Sequence, residues 1–364
     1  MKRREIMLAA LAVWGATHAV RLTAQDVQSG TQSSAPPHPV LPAWTAWKVG
    51  HLTDDGRIVD TLQKGASHSE SQGYGLFLAA TVGDAASFDS IDAWTMTHLA
   101  IREDSLLAWR WLPDQEVAVP DTNNASDGDL FYAWALVRAA KTLGRPALID
   151  RARQIVADLI SSCIRTHPDG SGRLVFTPAA AGFQRDTGLI INPSYLMPRA
   201  MQEIAAATGQ DKLQVCAVDG MSIQTDLATI GLMPDWIELR ADGPVPAANM
   251  SDNNGYDALR VPLFLIWSGH VDHTAVQREA RAYEMSATGG RETPTIMDRL
   301  SGNVLDVSSD AGYRAIATLV SCATTAKAGS LIPFYDADQP YYPATLHLMT
   351  LLAQIETLPQ CVPL

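Results

Sequence analysis

The stretch DLFYAWALVRAA, residues 129–140, is the clearest guide to the fold. Its apolar residues recur every three or four positions, the spacing of one buried helical face: Leu130, Ala133, Trp134, Val137 and Ala140. Similar patterns predict further helices near 72–82, 88–101, 147–164, 194–208, 211–226, 263–286, 312–327 and 342–357. We expect the 263–286 pattern to divide into two helices around Ser268–Gly269, because that pair interrupts it.

Patterns typical of strands are few, and RLVFTP at 173–178 is the best of them. The sequence therefore predicts an all-α protein with ten or more helices. Helix pairs could stack in a line or close into a ring, and the periodicity does not choose between these. In a ring, the polar loops before helix starts would gather at one end; these loops are 65–71, 121–128, 184–194 and 251–257.

The composition indicates a large buried core. The chain has 364 residues, 47% hydrophobic and only 18% charged, which argues against disorder. Residues 25–41 are polar, rich in Ser and Pro, and without periodicity, so they are read as a flexible leader. No later shift in composition marks a boundary, and residues 42–364 are expected to form one domain.

The first 24 residues resemble an export signal. A basic start at Lys2–Arg4 precedes a short apolar run at 6–16, and small-residue cleavage sites end at Ala19 and Ala24. A membrane anchor is the alternative, but this run is shorter than the roughly 20 residues that span a bilayer. We therefore expect an exported protein, periplasmic or secreted, without a membrane span after signal removal.

The net charge argues against anionic partners. The chain carries a formal net charge of −12. Cleavage after Ala24 would remove four basic residues and one acidic residue, which makes the charge −15. Such a surface repels nucleic acids and anionic membranes but does not repel a neutral glycan.

The cysteines form no closely spaced pair of the metal-binding type; they are Cys163, Cys216, Cys322 and Cys361. Export would permit disulfides, and buried thiols are an equal alternative. No cofactor motif is present: there is no Walker loop, dinucleotide fingerprint or G-x-S-x-G. The segment HVDH at 270–273 places two histidines three residues apart, an arrangement more typical of a solvated turn than of a metal site.

Three polar stretches carry candidate acids. Glu70 lies in GASHSESQGYG (65–75), either as a first-turn helix acid or as a carboxylic acid at a cleft wall, where glycines would let a substrate approach. Asp127 and Asp129 lie in DTNNASDGDLFYAWAL (121–136), at a helix start. A calcium loop is an alternative there, although the EF-hand pattern fails.

The third stretch is NNGYDALRVPLFLIW (253–267). Asp257 and Arg260 are three residues apart and can pair on one turn. Because Pro262 fits only the first turn of a helix, the helix should begin near Arg260, with Asp257 in the preceding turn. We expect the ion pair to keep the pKa of Asp257 low.

Together these stretches resemble glycoside hydrolase family 8, especially endoglucanases encoded with bacterial cellulose synthases. The resemblance runs from about 44 to 357 and rests on eight segments in order: GRIVDT, SHSESQGYG, WRW, VPDTNNASDGDL, NPSYLMP, PDW, YDALRVPL and PYYPATLHLM. It implies an (α/α)6 barrel with an open cleft at one end, and endo-acting, inverting hydrolysis of β-1,4-glucan. The cellulose synthase export machinery would be a possible partner.

The resemblance also implies roles. Glu70 would be the general acid, Asp257 the base, and Asp127 a third acid that grips the central sugar or, in another reading, the nucleophile. Tyr195 would hold the water, Arg260 would orient the base, and Trp109 would stack on a sugar. Tyr256 and Asp129 are further candidates for substrate binding. The approach to Asp257 and residues 270–285 depart from the relatives, which puts the outer subsites in doubt.

Other functions stay open at this point. The same fold could act on xylan, chitosan or mixed-linkage glucan. A non-catalytic glycan-binding protein and an unrelated helical-barrel lyase are the alternatives from other classes. The hydrolase reading requires that Glu70 and Asp257, which are remote in sequence, face each other across one groove with opposite protonation.

Overall fold

The computed structural model describes residues 36–286, 292–325 and 328–363, so the predicted signal, and the leader up to residue 35, lie outside the described residues. Helices dominate this part, as the sequence predicts. Their bounds are α1 Leu41–His51, α2 Ser69–Val82, α3 Ala85–His98, α4 Ser126–Thr142, α5 Leu148–Cys163, α6 Pro198–Thr208, α7 Asp211–Ile230, α8 Arg260–Trp267, α9 Thr274–Ser286, α10 Ala311–Thr325 and α11 Tyr341–Thr357.

The strands are short and pair in antiparallel hairpins or small sheets. They are β1 Ser67–His68 with β2 Arg110–Trp111, β3 Ile164–Thr166 with β4 Leu174–Phe176, β5 Gly188–Ile191 with β6 Ile237–Arg240 and β7 Gly243–Val245, and β8 Thr293–Met297 with β9 Val304–Ser308. The predicted strand around 173–178 is confirmed as β4.

Helix boundaries follow the local chemistry. The predicted break around Ser268–Gly269 is confirmed: α8 ends at Trp267 and Gly269 has a φ of +84°. The predicted start at 194 is wrong, because Pro193–Tyr195 form a 3-10 turn and α6 begins at Pro198. Helix α1 was not predicted; it buries Trp44 and Trp47.

Two classes of helix build the core. Helices α2, α4, α8 and α11 are buried around most of their circumference, whereas α5 buries a single stripe. Aromatic rings join the inner helices: Phe77 of α2 stacks on Trp134 of α4 at 4.0 Å, and Trp267 of α8 lies 5.4 Å from Trp134. Residues 37–364 thus form one compact unit.

Polar contacts fasten the ends of these helices. The indole nitrogens of Trp134 and Trp267 donate to Glu203 and Glu356 at 2.6 and 2.8 Å. Arg138 pairs with both glutamates, so these buried indoles are satisfied. Among the described residues, we find no helix that is both long enough and apolar enough to cross a membrane.

The four cysteines include both a disulfide and buried thiols. Cys322 at the end of α10 and Cys361 form a disulfide that spans 39 residues, whereas Cys163 and Cys216 are buried thiols.

We predict that replacing Cys322 and Cys361 together by alanine lowers the free energy of unfolding by about 2–4 kcal/mol, because the unfolded chain loses a closed loop. Urea unfolding measures this. Dithiothreitol should destabilise the wild type by a similar amount and leave the double variant unchanged. Equal stability of wild type and variant in oxidising buffer would contradict the prediction.

Candidate active site

Glu70 lies in the first turn of a helix rather than in the loop before it, because α2 begins at Ser69. The amide of His68 donates to the Ser71 hydroxyl at 3.0 Å and caps this end. The amide of Ser69 donates to the Trp109 carbonyl at 3.0 Å, which ties the helix start to the segment before β2. The side chain of Glu70 is 22% exposed, while its neighbours Ser69 and Ser71 are buried.

The glycines near Glu70 serve helix packing. A β-carbon on Gly73 would lie 2.9 Å from the Gly128 carbonyl, and one on Gly128 would lie 2.3 Å from the Ser69 hydroxyl. One on Gly75 would meet Ile58 at 2.2 Å. The expectation that Gly73 and Gly75 let a substrate approach Glu70 is therefore wrong: Gly73 lets α2 touch the start of α4, and Gly75 lets α2 pack on Ile58.

A single buried arginine gathers the acids. The Arg260 side chain is 1% exposed; one terminal nitrogen donates to Glu70 Oε2 at 2.6 Å and the other to Asp257 Oδ1 at 2.6 Å. Asp127 Oδ2 lies 3.7 Å from the nitrogen that binds Glu70. Arg260 also donates to Tyr74 at 3.0 Å and to Ser194 at 2.7 Å.

This arrangement limits the separation of the two carboxylates. The terminal nitrogens of one guanidinium are only about 2.3 Å apart, so the two accepting oxygens are no more than roughly 7.5 Å apart. Glu70 and Asp257 also line the same cavity, of about 490 Å³. The four polar loops named above meet here, since α2 touches Gly128 and Arg260 reaches Ser194.

Asp127 is the most deeply buried of the three acids. Its Oδ1 accepts from the Gly128 amide at 2.8 Å, whereas Oδ2 is buried without a hydrogen-bond partner. Burial and the neighbouring Glu70 raise its pKa well above the usual range, against the opposing effect of Arg260. One cation faces three acids, so the cluster favours holding a proton.

The expected low pKa of Asp257 is wrong. Removal from bulk water raises its pKa, and Arg260 only partly opposes that effect. Arg260 binds the carboxylates of both Glu70 and Asp257, so the pairing with this arginine does not distinguish the two acids.

Asp235 was missed from sequence, although it belongs to the PDW segment. Its Oδ1 accepts three backbone amides of the turn that carries Asp257: Gly255 at 3.1 Å, Asp257 at 3.0 Å and Ala258 at 2.9 Å. Burial raises its pKa to about 6. A β-carbon on Gly255 would lie 2.3 Å from Asp235 Oδ2, so glycine permits this contact. Asp235 therefore fixes the position of Asp257.

Asp129 does not face the groove. It is fully buried, and its oxygens accept from the Leu107 amide at 2.8 Å and the Asn124 side chain at 2.9 Å. The suggestion that it binds substrate is wrong, because one oxygen holds Leu107 in the segment before β2 and the other holds Asn124 in the loop before α4. Burial raises its pKa to about 7.

The aromatic candidates differ in position. Tyr256 is 41% exposed and lines the cavity, together with Tyr313 and Tyr342. The Tyr342 hydroxyl donates to the Tyr256 carbonyl at 2.6 Å. Tyr195 lies with its ring centre 5.7 Å from the Arg260 guanidinium.

Trp109 is partly exposed, and the Arg110 guanidinium lies 4.2 Å from its ring centre. Its indole donates to Asp121 Oδ2 at 3.0 Å, while Asp121 Oδ1 accepts from the Asn123 amide. The acids proposed for a calcium loop thus serve internal hydrogen bonds. At HVDH, His273 contacts Thr225 and the Met221 carbonyl, each at 3.0 Å. Among the described residues, no group of three or more His, Cys, Asp or Glu is placed to hold a metal.

Comparison with known proteins gives one consistent result. The model of the family "Glycosyl hydrolases family 8" matches residues 16–356. A probable endoglucanase from Novacetimonas hansenii is 34% identical over 91% of this chain and 96% of its own. An endoglucanase from Cellulomonas uda is 32% identical over 76% of each chain.

Comparison with solved structures gives the same result as comparison of sequences. The endo-β-1,4-glucanase CMCax from Acetobacter xylinum superposes with a TM-score of 0.77 at 30% identity, covering 87% of this chain and 98% of that one. A reducing-end-xylose-releasing exo-oligoxylanase shares the fold alone, at a TM-score of 0.67 and 16% identity. The predicted (α/α)6 barrel is confirmed by these similarities.

We predict that Asp235→Ala speeds hydrogen exchange at the amides of Gly255, Asp257 and Ala258 by about 5-fold, because each loses a hydrogen bond worth about 1 kcal/mol. Asp235→Asn keeps an oxygen at the Oδ1 position and should change exchange less. Mass spectrometry of deuterated peptides measures both. Unchanged exchange in the alanine variant would show that Asp235 does not hold this turn.

Proposed function

The chain belongs to glycosyl hydrolase family 8, and from that premise we propose that it is an endo-1,4-β-glucanase that inverts the anomeric carbon. The observation that carries the proposal is the shared cavity of Glu70 and Asp257, whose carboxylates Arg260 holds from two sides. Inverting glycosidases place two carboxyl groups about 6.5–9.5 Å apart, one to protonate the leaving oxygen and one to activate water. The two oxygens that Arg260 binds are no more than roughly 7.5 Å apart. This limit is compatible with the separation in inverting glycosidases.

Glu70 is proposed as the general acid. It lies on the cavity wall with part of its side chain exposed, where it can reach a glycosidic oxygen. Asp127 lies behind it, and its unpartnered Oδ2 can accept a hydrogen bond from a sugar hydroxyl.

Asp257 is proposed as the base. Asp235 fixes its backbone and Arg260 binds its Oδ1, so the carboxylate is held at the cavity wall, where it can orient and deprotonate a water. Tyr195, next to Arg260, is proposed to hold that water. Tyr256 and Trp109 are proposed to stack on sugar rings, whose apolar faces suit flat aromatic groups.

The glucan substrate fits the relatives, which are named as endoglucanases. We further propose that the enzyme is exported to the periplasm or beyond and acts beside the cellulose synthase export machinery. The basic and apolar N-terminus, together with the resemblance to synthase-encoded endoglucanases, supports this.

We predict that Glu70→Gln lowers kcat on cello-oligosaccharides by about 10³-fold or more, because the leaving oxygen loses its proton donor. Asp257→Asn should do the same, since water loses its base. Affinity measured by calorimetry should stay within a few-fold. Glu284→Gln, at an exposed position on α9, is the matched control.

Near-normal turnover in either active-site variant would remove that residue from its role. Proton NMR of the first products should show the α-anomer from a β-glucan, and initial β-anomer would refute inversion. Assays of carboxymethyl cellulose, xylan and chitosan side by side test the glucan preference, and binding without turnover would favour a glycan-binding protein.

We also predict the acid side of the pH profile. The base must be ionised, and burial raises the pKa of Asp257 above its usual value of 3.8. Hence kcat/KM should fall as the pH decreases through a point clearly above about 4, while the protein stays folded by circular dichroism. An acid limb at or below pH 4 would contradict the raised pKa.

A further inference from the structure

A second cavity, of about 450 Å³, lies between α9 and the turn that joins β8 to β9. It shares no lining residue with the cavity of Glu70 and Asp257. Three arginines line it: Arg278 and Arg281, one turn apart on α9, and Arg299 on the β8–β9 turn. Apolar side chains, Leu232 and Met285 among them, form part of the wall.

Arg299 is fixed in place by its neighbour across the cavity wall. The Leu232 amide donates to the Arg299 carbonyl at 2.8 Å, and Arg299 Nε donates to the Leu232 carbonyl at 3.3 Å. A β-carbon on Gly231 would lie 2.6 Å from the Arg299 carbonyl, so only glycine allows this approach. The guanidinium is therefore held rather than free to swing into solvent.

The charge of Arg299 is compensated only at a distance, by Asp252 and Asp298. Its side chain belongs to a residue only 7% exposed, and one terminal nitrogen is buried without a hydrogen-bond partner. Within the described parts of the chain, no ion pair joins Arg278, Arg281 or Arg299 to a carboxylate. A buried guanidinium is costly unless an anion or hydrogen-bond acceptors compensate it.

The charges of Asp252 and Asp298 act on Arg299, but neither acid forms an ion pair with it within the described residues. Asp298 accepts from the amides of Leu300 and Ser301 at 3.2 and 2.7 Å, which commits its Oδ1 to the turn. Asp272 lies at the exposed rim of the cavity. Three clustered arginines are unexpected on a chain of net charge −12, and they create a local positive potential.

We propose that this arginine cavity binds an oxyanion, the carboxylate or phosphate group of a small molecule. Arginine suits such groups because its planar donors can bind two oxygens at once. The volume is within the range of small-molecule sites, and the apolar wall can contact a short carbon skeleton. Arg299 comes two residues after Met297 in the chain. The backbone of Met297 hydrogen bonds with the backbone of Asn254, in the turn before Asp257.

The test uses the purified full chain with sodium phosphate and sodium citrate as probes, titrated by calorimetry at constant ionic strength. We expect saturable binding to the wild type. Arg281→Ala, at an exposed position, should weaken binding about 10-fold, and Arg299→Gln should abolish it. Arg153→Ala, which removes an exposed arginine from α5, is the matched control and should bind as the wild type does.

Thermal unfolding provides the second readout. Phosphate or citrate, whichever binds, should raise the Tm of the wild type and of Arg153→Ala. It should raise the Tm of Arg281→Ala less. General salt effects on stability would shift all variants equally. Binding of phosphate alone would assign a phosphate site, and binding of citrate alone a carboxylate site.

No saturable heat with either probe, or equal affinity of Arg281→Ala and Arg153→Ala, would overturn the proposal. The readouts do not use hydrolysis, so their failure leaves the proposed glucanase activity untouched, and loss of that activity would not affect them.

Discussion

The interaction on which the active site depends is the sharing of one buried guanidinium by acids from three parts of the fold. Arg260 binds Glu70 at the start of α2 and Asp257 in the turn before α8, and it lies close to Asp127 at the start of α4. Removing the charge would leave the buried Asp127 and the partly exposed Glu70 and Asp257 without their cation, at a cost of about 3–5 kcal/mol. Because one cation cannot balance three anions, a proton must stay in the cluster, and that condition suits acid–base chemistry.

The scaffold makes this cluster possible by bringing helix ends into contact. The inner helices share an aromatic centre around Phe77, Trp134 and Trp267, while the disulfide closes the C-terminal region on α10. The acids lie at one end of these helices. Elsewhere, Glu203 and Glu356 pair with arginines and accept hydrogen bonds from the indoles of the aromatic centre. The acids at the starts of α2 and α4 thereby gain the rigidity of packed helices.

Much of the fold could be predicted from the sequence, because helical periodicity is local. The break after Trp267 and the placement of Asp257 before α8 followed from Ser268–Gly269 and Pro262. The resemblance supplied the barrel and the acids. The role of the glycines, the burial of Asp129 and the anchoring by Asp235 could not be predicted, since each depends on which backbone atoms approach from distant segments. The raised pKa of Asp257 likewise depends on burial, which the i,i+3 spacing with Arg260 does not reveal.

The contact between Gly73 and Gly128 has a mechanical consequence. Because the backbones of α2 and α4 touch there with no side chain between them, Glu70 and Asp127 move as one rigid body. Asp257 instead sits on a turn that hydrogen bonds to Asp235 hold. When a polysaccharide chain enters or leaves, the wall formed by α2 and α4 therefore keeps its shape.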